Sequence, residues 1–463
     1  SFRAAILPPR ITFKLAKRRY TDVAAKPHLQ VGLAMLRREN ILSLFREYYA
    51  TADLAVENIP RREIAFQTWD SRMVRHQSHD SIESLRESAQ KRAPKALYAS
   101  LSYYLDPSHK SPKEVDRKSV NCQDCGHSYK SDTPKSPCPK CGVENEMANT
   151  NTKDRRAMDL AFDIDYGDIP GASERTPTKN LGAAARSTLN LAKILVSDLG
   201  FDYSDLDITF SGKKGFHIRL SNSHPLFSDS NQTDESVRKA LVNYVGGYDF
   251  DKMDFLLIKA HAQAANTWHL KAYESGWGYR FNQSIEYLLK AASAKSEEFT
   301  KVLQLYSPWH TDKKKYGTKK TLPSQKVIEG FRKACNENRD SILKGGNIRD
   351  MKDSEAKRLL SFALARTRLR HASFVDRVVT ADKARVLRVP GSIHGGSGMV
   401  CCKVPTLKHL TDMSWVLDLQ KELLGDEEVE VSISRVANTY YGVYEPGEHK
   451  VPKHIAYALL CSQ

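Results

Sequence analysis

The chain has 463 residues, of which 40% are hydrophobic and 27% charged, so it is long enough for two to three domains with their own hydrophobic cores. This composition excludes a disordered chain, and no apolar run reaches the roughly 18 residues of a membrane-spanning helix, so no membrane association is expected. Lysine and arginine outnumber aspartate and glutamate by 71 to 55, a formal charge of +16. The excess favours a polyanionic partner, most often nucleic acid, although a merely basic enzyme would share it.

A segment with little pattern precedes the first predicted element. Residues 1–35 form a basic extension in which six lysines and arginines come before the first acid, Asp22. Such an extension suits a targeting or nucleic-acid-binding arm, or simply an unstructured tail.

Periodicity and turn residues then predict the next elements. They are a helix over 36–50, strands over 62–66 and 72–76, a helix over 81–91 capped by Ser81, and a strand over 96–105.

Four of the eight cysteines fall within twenty residues, inside a polar segment at 106–156. Two residues separate Cys122 from Cys125, twelve separate Cys125 from Cys138, and two separate Cys138 from Cys141. Paired turns of this kind supply four thiolates for tetrahedral Zn²⁺, and they favour a metal site in a reducing compartment over disulfides. Four protein ligands close the site, so the zinc would be structural. His127 is either a substitute ligand or a solvated surface histidine.

The segment 159–165 ends in two carboxylates separated by one isoleucine. Side chains at i and i+2 of a strand share a face, so we expect Asp163 and Asp165 to lie together while Ile164 enters the core. Two carboxylates this close repel each other unless cations neutralise them, and Mg²⁺ or Mn²⁺ shared with substrate phosphates is the usual solution. Two solvated aspartates at a strand end are the commoner meaning of a bare Asp-x-Asp. The motif therefore needs support from elsewhere in the chain.

A helix over 181–199 and strands over 206–210 and 216–220 follow. The turn between these strands, 211–215, offers a hydroxyl, two ammonium groups and backbone N–H donors. This combination suits a phosphate cradle, although an ordinary lysine-bearing hairpin would have the same composition.

Longer helical patterns dominate residues 225–372, which we predict to be a mostly helical insertion. It contains a lysine-rich loop at 313–320. Its tryptophans suit a core or, where they are exposed, stacking on single-stranded bases. The tryptophans are Trp268, Trp277 and Trp309. Strand-like sequence returns over 372–379 and 384–389, before the Pro-Gly-Ser-Ile-His motif at 390–394. The tail predicts a helix over 414–424 and a strand over 429–434.

Taken in order, these motifs resemble the catalytic small subunit of archaeal and eukaryotic DNA primases, within the archaeo-eukaryotic primase superfamily. The resemblance covers roughly 36–400, and its Pro-Gly-Ser-x-His-Gly form is similar to that of the archaeal branch. The stretches that carry it are 45–49, 62–66, 73–76, 162–165, 211–217 and 388–395.

The resemblance implies an α/β (α+β) fold: a primase-type catalytic core of mixed sheets flanked by helices, with a zinc-knuckle insertion and a mostly helical inserted subdomain. We accordingly expect a discontinuous core over 36–224 and 373–463. The zinc insertion would occupy 106–156 and the helical insertion 225–372, with the basic extension at 1–35.

Carried over by position, the resemblance implies three catalytic, metal-binding carboxylates. They are Asp163, Asp165 and Asp376, with Asp382 as a competitor for the third place. It also implies a set of residues that hold the incoming triphosphate. They are Arg62, Ser211, Lys213, Lys214, Gly215, His217, Arg388 and His394.

The chain departs from the family pattern in two respects. Lys213 and Lys214 stand where archaeal members usually carry two arginines, which keeps the charge but loses the bidentate fork. The cysteine cluster precedes the Asp163 strand, whereas the family has it after that strand.

The function implied is that of a primase which starts chains de novo on single-stranded DNA for replication, from NTPs or dNTPs, by two-metal nucleotidyl transfer. A heterodimer with a primase large subunit is also implied, as is a cytoplasmic place at the archaeal nucleoid, or a nuclear one in a eukaryote. Two alternatives stay open. One is a primase-polymerase or end-joining polymerase that mainly extends primers with dNTPs, and the other is a non-catalytic zinc-ribbon nucleic-acid-binding protein.

Overall fold

A computed structural model describes residues 27–109, 120–122, 124–129, 135–146, 153–169, 177–224, 235–248, 257–259, 268–306, 323–348 and 350–463. Most of the basic extension, Trp309 and the lysine-rich segment at 313–320 lie outside the described residues. Among the described helices, none combines the length and the hydropathy needed to cross a membrane.

The helices of the described part account for the predicted helices and extend some of them. They are α1 Pro27–Thr51, α2 Ile82–Arg92, α3 Pro177–Leu199, α4 Glu235–Gly246, α5 Gly276–Ala292, α6 Ser296–Leu305, α7 Gln325–Glu337, α8 Arg339–Gly345, α9 Asp353–His371, α10 Arg377–Ala381, α11 Ser414–Leu424 and α12 Lys453–Cys461. The predicted cap is confirmed, because the Ser81 hydroxyl accepts a hydrogen bond from the Ser84 amide at the start of α2.

The strands are short and form two main sheets and several hairpins. They are β1 Arg62–Gln67, β2 Met73–Gln77, β3 Ala96–Tyr104, β4 Val120–Asn121, β5 Ser128–Tyr129, β6 Lys135–Pro137, β7 Glu144–Glu146, β8 Arg155–Met158, β9 Leu160–Asp165, β10 Asp207–Phe210, β11 Gly215–Leu220, β12 Leu257–Lys259, β13 Trp268–Leu270, β14 Val386–Arg388, β15 Ile393–His394, β16 Met399–Val400, β17 Cys402–Lys403, β18 Glu428–Ile433, β19 Ala437–Thr439, β20 Gly442–Tyr444 and β21 Gly447–Pro452.

The first sheet has the order β14-β3-β1-β2, with β8 also paired to β3, and the second has the order β17-β10-β11-β9. Every strand pair in the described part is antiparallel, so the α+β class is confirmed while the expected mixture of parallel and antiparallel pairs is absent from that part. For β10 and β11 the antiparallel pairing follows from the length of the turn between them, since a four-residue connection is too short to join parallel neighbours.

Each sheet has its own core. The first packs with α1, α2 and α12 around Phe45, Ile64 and Tyr457. The second packs its apolar face, which includes Ile164 and Phe216, against α3 and the helices that follow. The other face of the second sheet is left for polar side chains.

The chain passes from the first sheet to the second through one residue, Asp159, between β8 and β9. Its carboxylate is fully buried and binds Arg62 of β1 at 2.5 Å and Arg219 of β11 at 3.2 Å. The Asn222 amide donates to its other oxygen at 2.9 Å. This buried carboxylate therefore ties together the two sheets that border the candidate site.

The predicted strand over 372–379 is wrong. Its β-branched valines suit a strand, but α9 continues to His371 and the short helix α10 begins at Arg377. The Asp376 carboxylate caps α10 by accepting the Val378 amide at 2.8 Å. Tertiary contacts decide the segment, because the Asp376 amide donates to the Asp163 carbonyl at 2.8 Å. The predicted strand over 384–389 is confirmed in part as β14.

Candidate active site and metal centre

Asp163 and Asp165 lie side by side on β9, on the polar face of the second sheet. The register places His217 of β11 opposite Asp163 and Gly215 opposite Asp165. His217 Nε2 lies 3.5 Å from Asp163 Oδ1. Ile164, between the two aspartates, is completely buried on the other face. The alternation predicted from the sequence is therefore observed, and both carboxylates border the same cleft.

The backbone contact of Asp376 with β9 brings a third carboxylate to this pair. Burial, and then the negative charges of Asp165 and Asp376, raise the pKa of Asp163 to about 7. Asp382 lies at the other end of α10, where its carboxylate accepts the Ala384 amide at 2.9 Å. Of the two candidates for the third carboxylate, Asp376 is the one in electrostatic contact with the pair.

The cleft between the two sheets has a volume of about 350 Å³ and is strongly basic. Four cationic side chains line it, namely Lys213, Lys214, Arg385 and Arg388. Nε and Nη1 of Arg388 are buried without a hydrogen-bond partner in the described part of the chain. Its guanidinium lies 4.9 Å from the centre of the Tyr98 ring, and its Nη2 donates to the Tyr98 hydroxyl at 3.4 Å.

The pKa of each histidine in the cleft is lowered, which favours the neutral ring. Burial, and then the charges of Arg388 and Arg385, lower the pKa of His217 to about 3. Burial and Arg388 also hold the pKa of His394 well below its usual value. His394 Nδ1 accepts the Gly396 amide at 3.0 Å, so the proton of the neutral ring resides on Nε2.

The turn between β10 and β11, residues 211–215, is hereafter called the phosphate turn after the role predicted for it. Its glycines are sterically required. A Cβ on Gly215 would lie 1.7 Å from the Ile164 carbonyl oxygen, since β11 approaches β9 closely beside Asp165. Gly212 has a φ of +89°, and a Cβ there would lie 2.8 Å from that of His394. The Ser211 hydroxyl accepts the Gly215 amide at 3.3 Å and closes the turn.

Six of the eight predicted nucleotide-binding residues line this cleft. Gly215 lies behind it in β11, opposite Asp165, and Arg62 lies elsewhere. The Arg62 side chain is only 2% exposed. Besides Asp159, its guanidinium donates to the carbonyls of Ser100 at 2.9 Å, Leu101 at 2.8 Å and Glu57 at 3.1 Å. These contacts give Arg62 a structural role at the junction of the sheets.

Two polar residues that line the cleft were missed by sequence reasoning. Arg385 lies 3.7 Å from the Asp376 carboxylate and is among the charges that act on Asp163. Tyr98 of β3 holds the guanidinium of Arg388 from the first sheet. The signal for Arg385 was its position just before β14 and its spacing of three residues from Arg388. Tyr98 gave no such signal, because its strand contains several tyrosines.

The four clustered cysteines meet in space. Their sulfurs all lie within 4.8 Å of one another, and among the described residues this is the one group of three or more such ligands that does so. Cys122 Sγ is 3.5 Å from Cys141 Sγ, and Cys125 Sγ is 3.7 Å from Cys138 Sγ. Tetrahedral Zn–S bonds of about 2.3 Å require sulfur separations close to these. The cluster therefore fits zinc, as predicted.

The backbone around the cysteines forms two tight turns of the kind expected of zinc knuckles. Gly126 and Gly142 have φ angles of +68° and +70°, and their amides donate to the carbonyls of Cys122 and Cys138. A hydrogen bond from the Cys125 amide is the largest influence that lowers the pKa of Cys122, to about 6, whereas the pKa values of the Cys125 and Cys141 thiols are raised. His127 is not among the ligands of this group, and the four cysteines are enough for a tetrahedral site.

We expect one zinc ion per chain, lost when a ligand is removed. Cys125→Ser should reduce the bound zinc measured by elemental mass spectrometry by at least about tenfold, because three ligands hold the ion much less tightly than four. Cys461→Ser is the control, since Cys461 is far from the cluster in the sequence and is not among its ligands. Full zinc retention in Cys125→Ser would contradict the site.

The aspartates fit a harder metal ion. Mg²⁺ and Mn²⁺ take carboxylate oxygens and share their remaining positions with substrate phosphates. Asp163, Asp165 and Asp376 supply such oxygens beside a cleft with cationic groups for phosphates. The oxygen atoms of these three carboxylates do not all lie within 4.8 Å of one another, as the sulfurs of the four cysteines do.

The α+β fold brings three carboxylates to the edge of a basic cleft, a combination that suits metal-dependent phosphoryl transfer. A family model described as DNA primase small subunit matches residues 162–404, which contain the three aspartates, the phosphate turn, Arg388 and His394. The chain belongs to the DNA primase small subunit family.

Relatives extend the similarity beyond that segment. A DNA primase small subunit of Methanococcoides burtonii is 26% identical over 436 residues, which cover 90% of this chain and 95% of the relative. That of Methanosarcina mazei is 25% identical, with 90% and 94% covered. That of Thermoplasma volcanium is 23% identical, with 92% and 96% covered. The predicted resemblance to archaeal primase small subunits is confirmed.

Proposed function

We propose that this protein is a primase that synthesises short primers de novo on single-stranded DNA by nucleotidyl transfer. The observation that carries the proposal is the pair Asp163 and Asp165, which face a basic cleft inside the segment that matches the family. Family membership supports the reaction class, and the cleft contains carboxylates for metal ions and cationic side chains for phosphates.

Asp163, Asp165 and Asp376 would hold the divalent ions, Mg²⁺ or Mn²⁺. When bound, such ions lower the pKa of an attacking hydroxyl and stabilise charge on the leaving group. Lys213, Lys214 and Arg388 place positive charge where the triphosphate would lie.

The neutral histidines act as hydrogen-bond donors rather than as charges. His394 lines the cleft with its proton on Nε2, and His217 Nε2 lies 3.5 Å from Asp163 Oδ1. Arg385 balances part of the negative charge of the carboxylates.

The proposed partners are inferred from the net charge of the chain and from the names of its relatives. A net charge of +16 suits the backbone of a single-stranded template, and binding should weaken as salt rises. Because the relatives are named small subunits, we propose that this chain pairs with a large subunit. We also propose the domain division set out above, a structural zinc in the cysteine cluster, and action at the chromosome of an archaeal cell.

The proposal is tested by labelled nucleotide incorporation on unprimed single-stranded DNA, with ribo- and deoxyribonucleotides in parallel and a primed template beside each. We expect short products on the unprimed template, abolished by EDTA. Products only on the primed template would instead support a primer-extending polymerase of the same superfamily. DNA binding without incorporation, in the presence of a large subunit, would support a non-catalytic nucleic-acid-binding protein.

A further inference from the structure

The phosphate turn separates two cavities. One side of the turn borders the catalytic cleft, and the other borders a polar cavity of about 290 Å³, hereafter the lateral pocket. The far wall of the lateral pocket comes from the turn between β19 and β20 and from α12. Those elements lie beyond residue 404, where the match to the family model ends.

Three consecutive carbonyls of the phosphate turn are each engaged. The Ser397 hydroxyl donates to the Gly212 carbonyl at 2.6 Å. The Tyr440 hydroxyl, in the turn between β19 and β20, donates to the Lys213 carbonyl. The Tyr166 amide donates to the Lys214 carbonyl at 3.1 Å. Side chains remote in sequence therefore hold two of the three peptide planes.

Each of these bonds also sets the direction of an N–H group. A trans peptide is planar, so its N–H points opposite to its C=O. The bond from Tyr440 to the Lys213 carbonyl thereby orients the Lys214 amide, and the bond from Ser397 orients the Lys213 amide. Successive backbone N–H groups held in a turn form a concave site for anions. A site that is already ordered before its ligand arrives loses less free energy on binding.

We propose that Tyr440 is a positioning residue that holds the phosphate turn in its triphosphate-binding conformation. The inference rests on the proposed function, because it takes the phosphate turn to bind the incoming nucleotide. It adds that the C-terminal segment, through one hydroxyl, sets the affinity of the site for nucleoside triphosphates.

The neighbouring tyrosine offers a matched control. Tyr441 lies in the same turn and is half-buried like Tyr440, but its hydroxyl is buried without a hydrogen-bond partner among the described residues. Its ring packs edge-on against His454 at 5.2 Å. Replacing either tyrosine by phenylalanine removes one oxygen atom, and only the Tyr440 change removes a hydrogen bond to the phosphate turn.

The test measures binding of a non-hydrolysable nucleoside triphosphate by calorimetry in Mg²⁺, together with steady-state incorporation on single-stranded DNA. Tyr440→Phe should raise the Kd and the nucleotide KM by about 3- to 10-fold, the value of one net hydrogen bond, and change kcat by less than about twofold. Ser397→Ala should shift affinity in the same direction. Tyr441→Phe should stay within about twofold of the wild type.

Single-stranded DNA affinity and the unfolding temperature show whether the effect is local. In Tyr440→Phe the DNA affinity should be unchanged, and the loss of one hydrogen bond should lower the unfolding temperature by no more than about 2 °C. Nucleotide affinity equal to that of the wild type would overturn the role of Tyr440. Equal weakening in both tyrosine variants, or a parallel loss of DNA binding and stability, would also overturn it. A wild-type protein that binds no nucleotide would instead overturn the proposed function and, with it, the basis of this inference.

Discussion

Asp163→Asn should reduce nucleotide incorporation by at least about 10³-fold while leaving the fold intact. The substitution removes a charged metal ligand and changes almost no volume. Metal ions contribute several kcal/mol of transition-state stabilisation, and about 4 kcal/mol corresponds to three orders of magnitude in rate. Because Asp163 lies among carboxylates that repel it, the variant should be no less stable than the wild type. Incorporation assays and thermal unfolding check the two expectations.

A matched pair of variants tests the third carboxylate. Asp376 and Asp382 each accept one backbone amide through Oδ1, at 2.8 and 2.9 Å, and asparagine can keep that bond. We expect Asp376→Asn to lose activity to a similar extent as Asp163→Asn, and Asp382→Asn to keep most of it. The reverse pattern would transfer the third metal ligand to Asp382. Full activity in Asp163→Asn would contradict the catalytic site altogether.

Arg62→Met should lower the free energy of unfolding by about 3 kcal/mol, because removing one partner leaves buried Asp159 less compensated. Asp159 would keep Arg219 and the Asn222 amide, which places the loss near the lower end of the usual range. The carbonyls of Ser100 and Leu101 would also lose their donor. Denaturant titration followed by fluorescence measures the change.

Arg72→Met is the control for this prediction. Arg72 forms an ion pair with Asp70 at 2.7 Å, but the two side chains are 80% and 48% exposed. Exposed pairs contribute about 0–1 kcal/mol, so this variant should unfold almost like the wild type. If Arg62→Met instead unfolded normally and lost nucleotide affinity, Arg62 would belong to the nucleotide site after all.

The sequence by itself determined the features that depend on local spacing. Alternation along β9 put Asp163 and Asp165 on one face and Ile164 in the core, because the side-chain period of a strand is two. The cysteine spacing predicted the four-sulfur cluster, since each CxxC turn closes on itself. Glycines at 212 and 215 marked a turn that no residue with a Cβ could form.

Only the tertiary structure decided the features that depend on which distant segments meet. The valines around Asp376 suit a strand, but the contact with the Asp163 carbonyl and the cap on α10 override that preference. Arginine is a residue type that often binds anions, but the junction of the two sheets buries the Arg62 side chain against Asp159. The hydrogen bond from Tyr440 to Lys213 joins residues 227 positions apart. Local sequence patterns do not predict contacts between distant segments, because the burial of a side chain and the choice of its partner are decided only when the sheets pack.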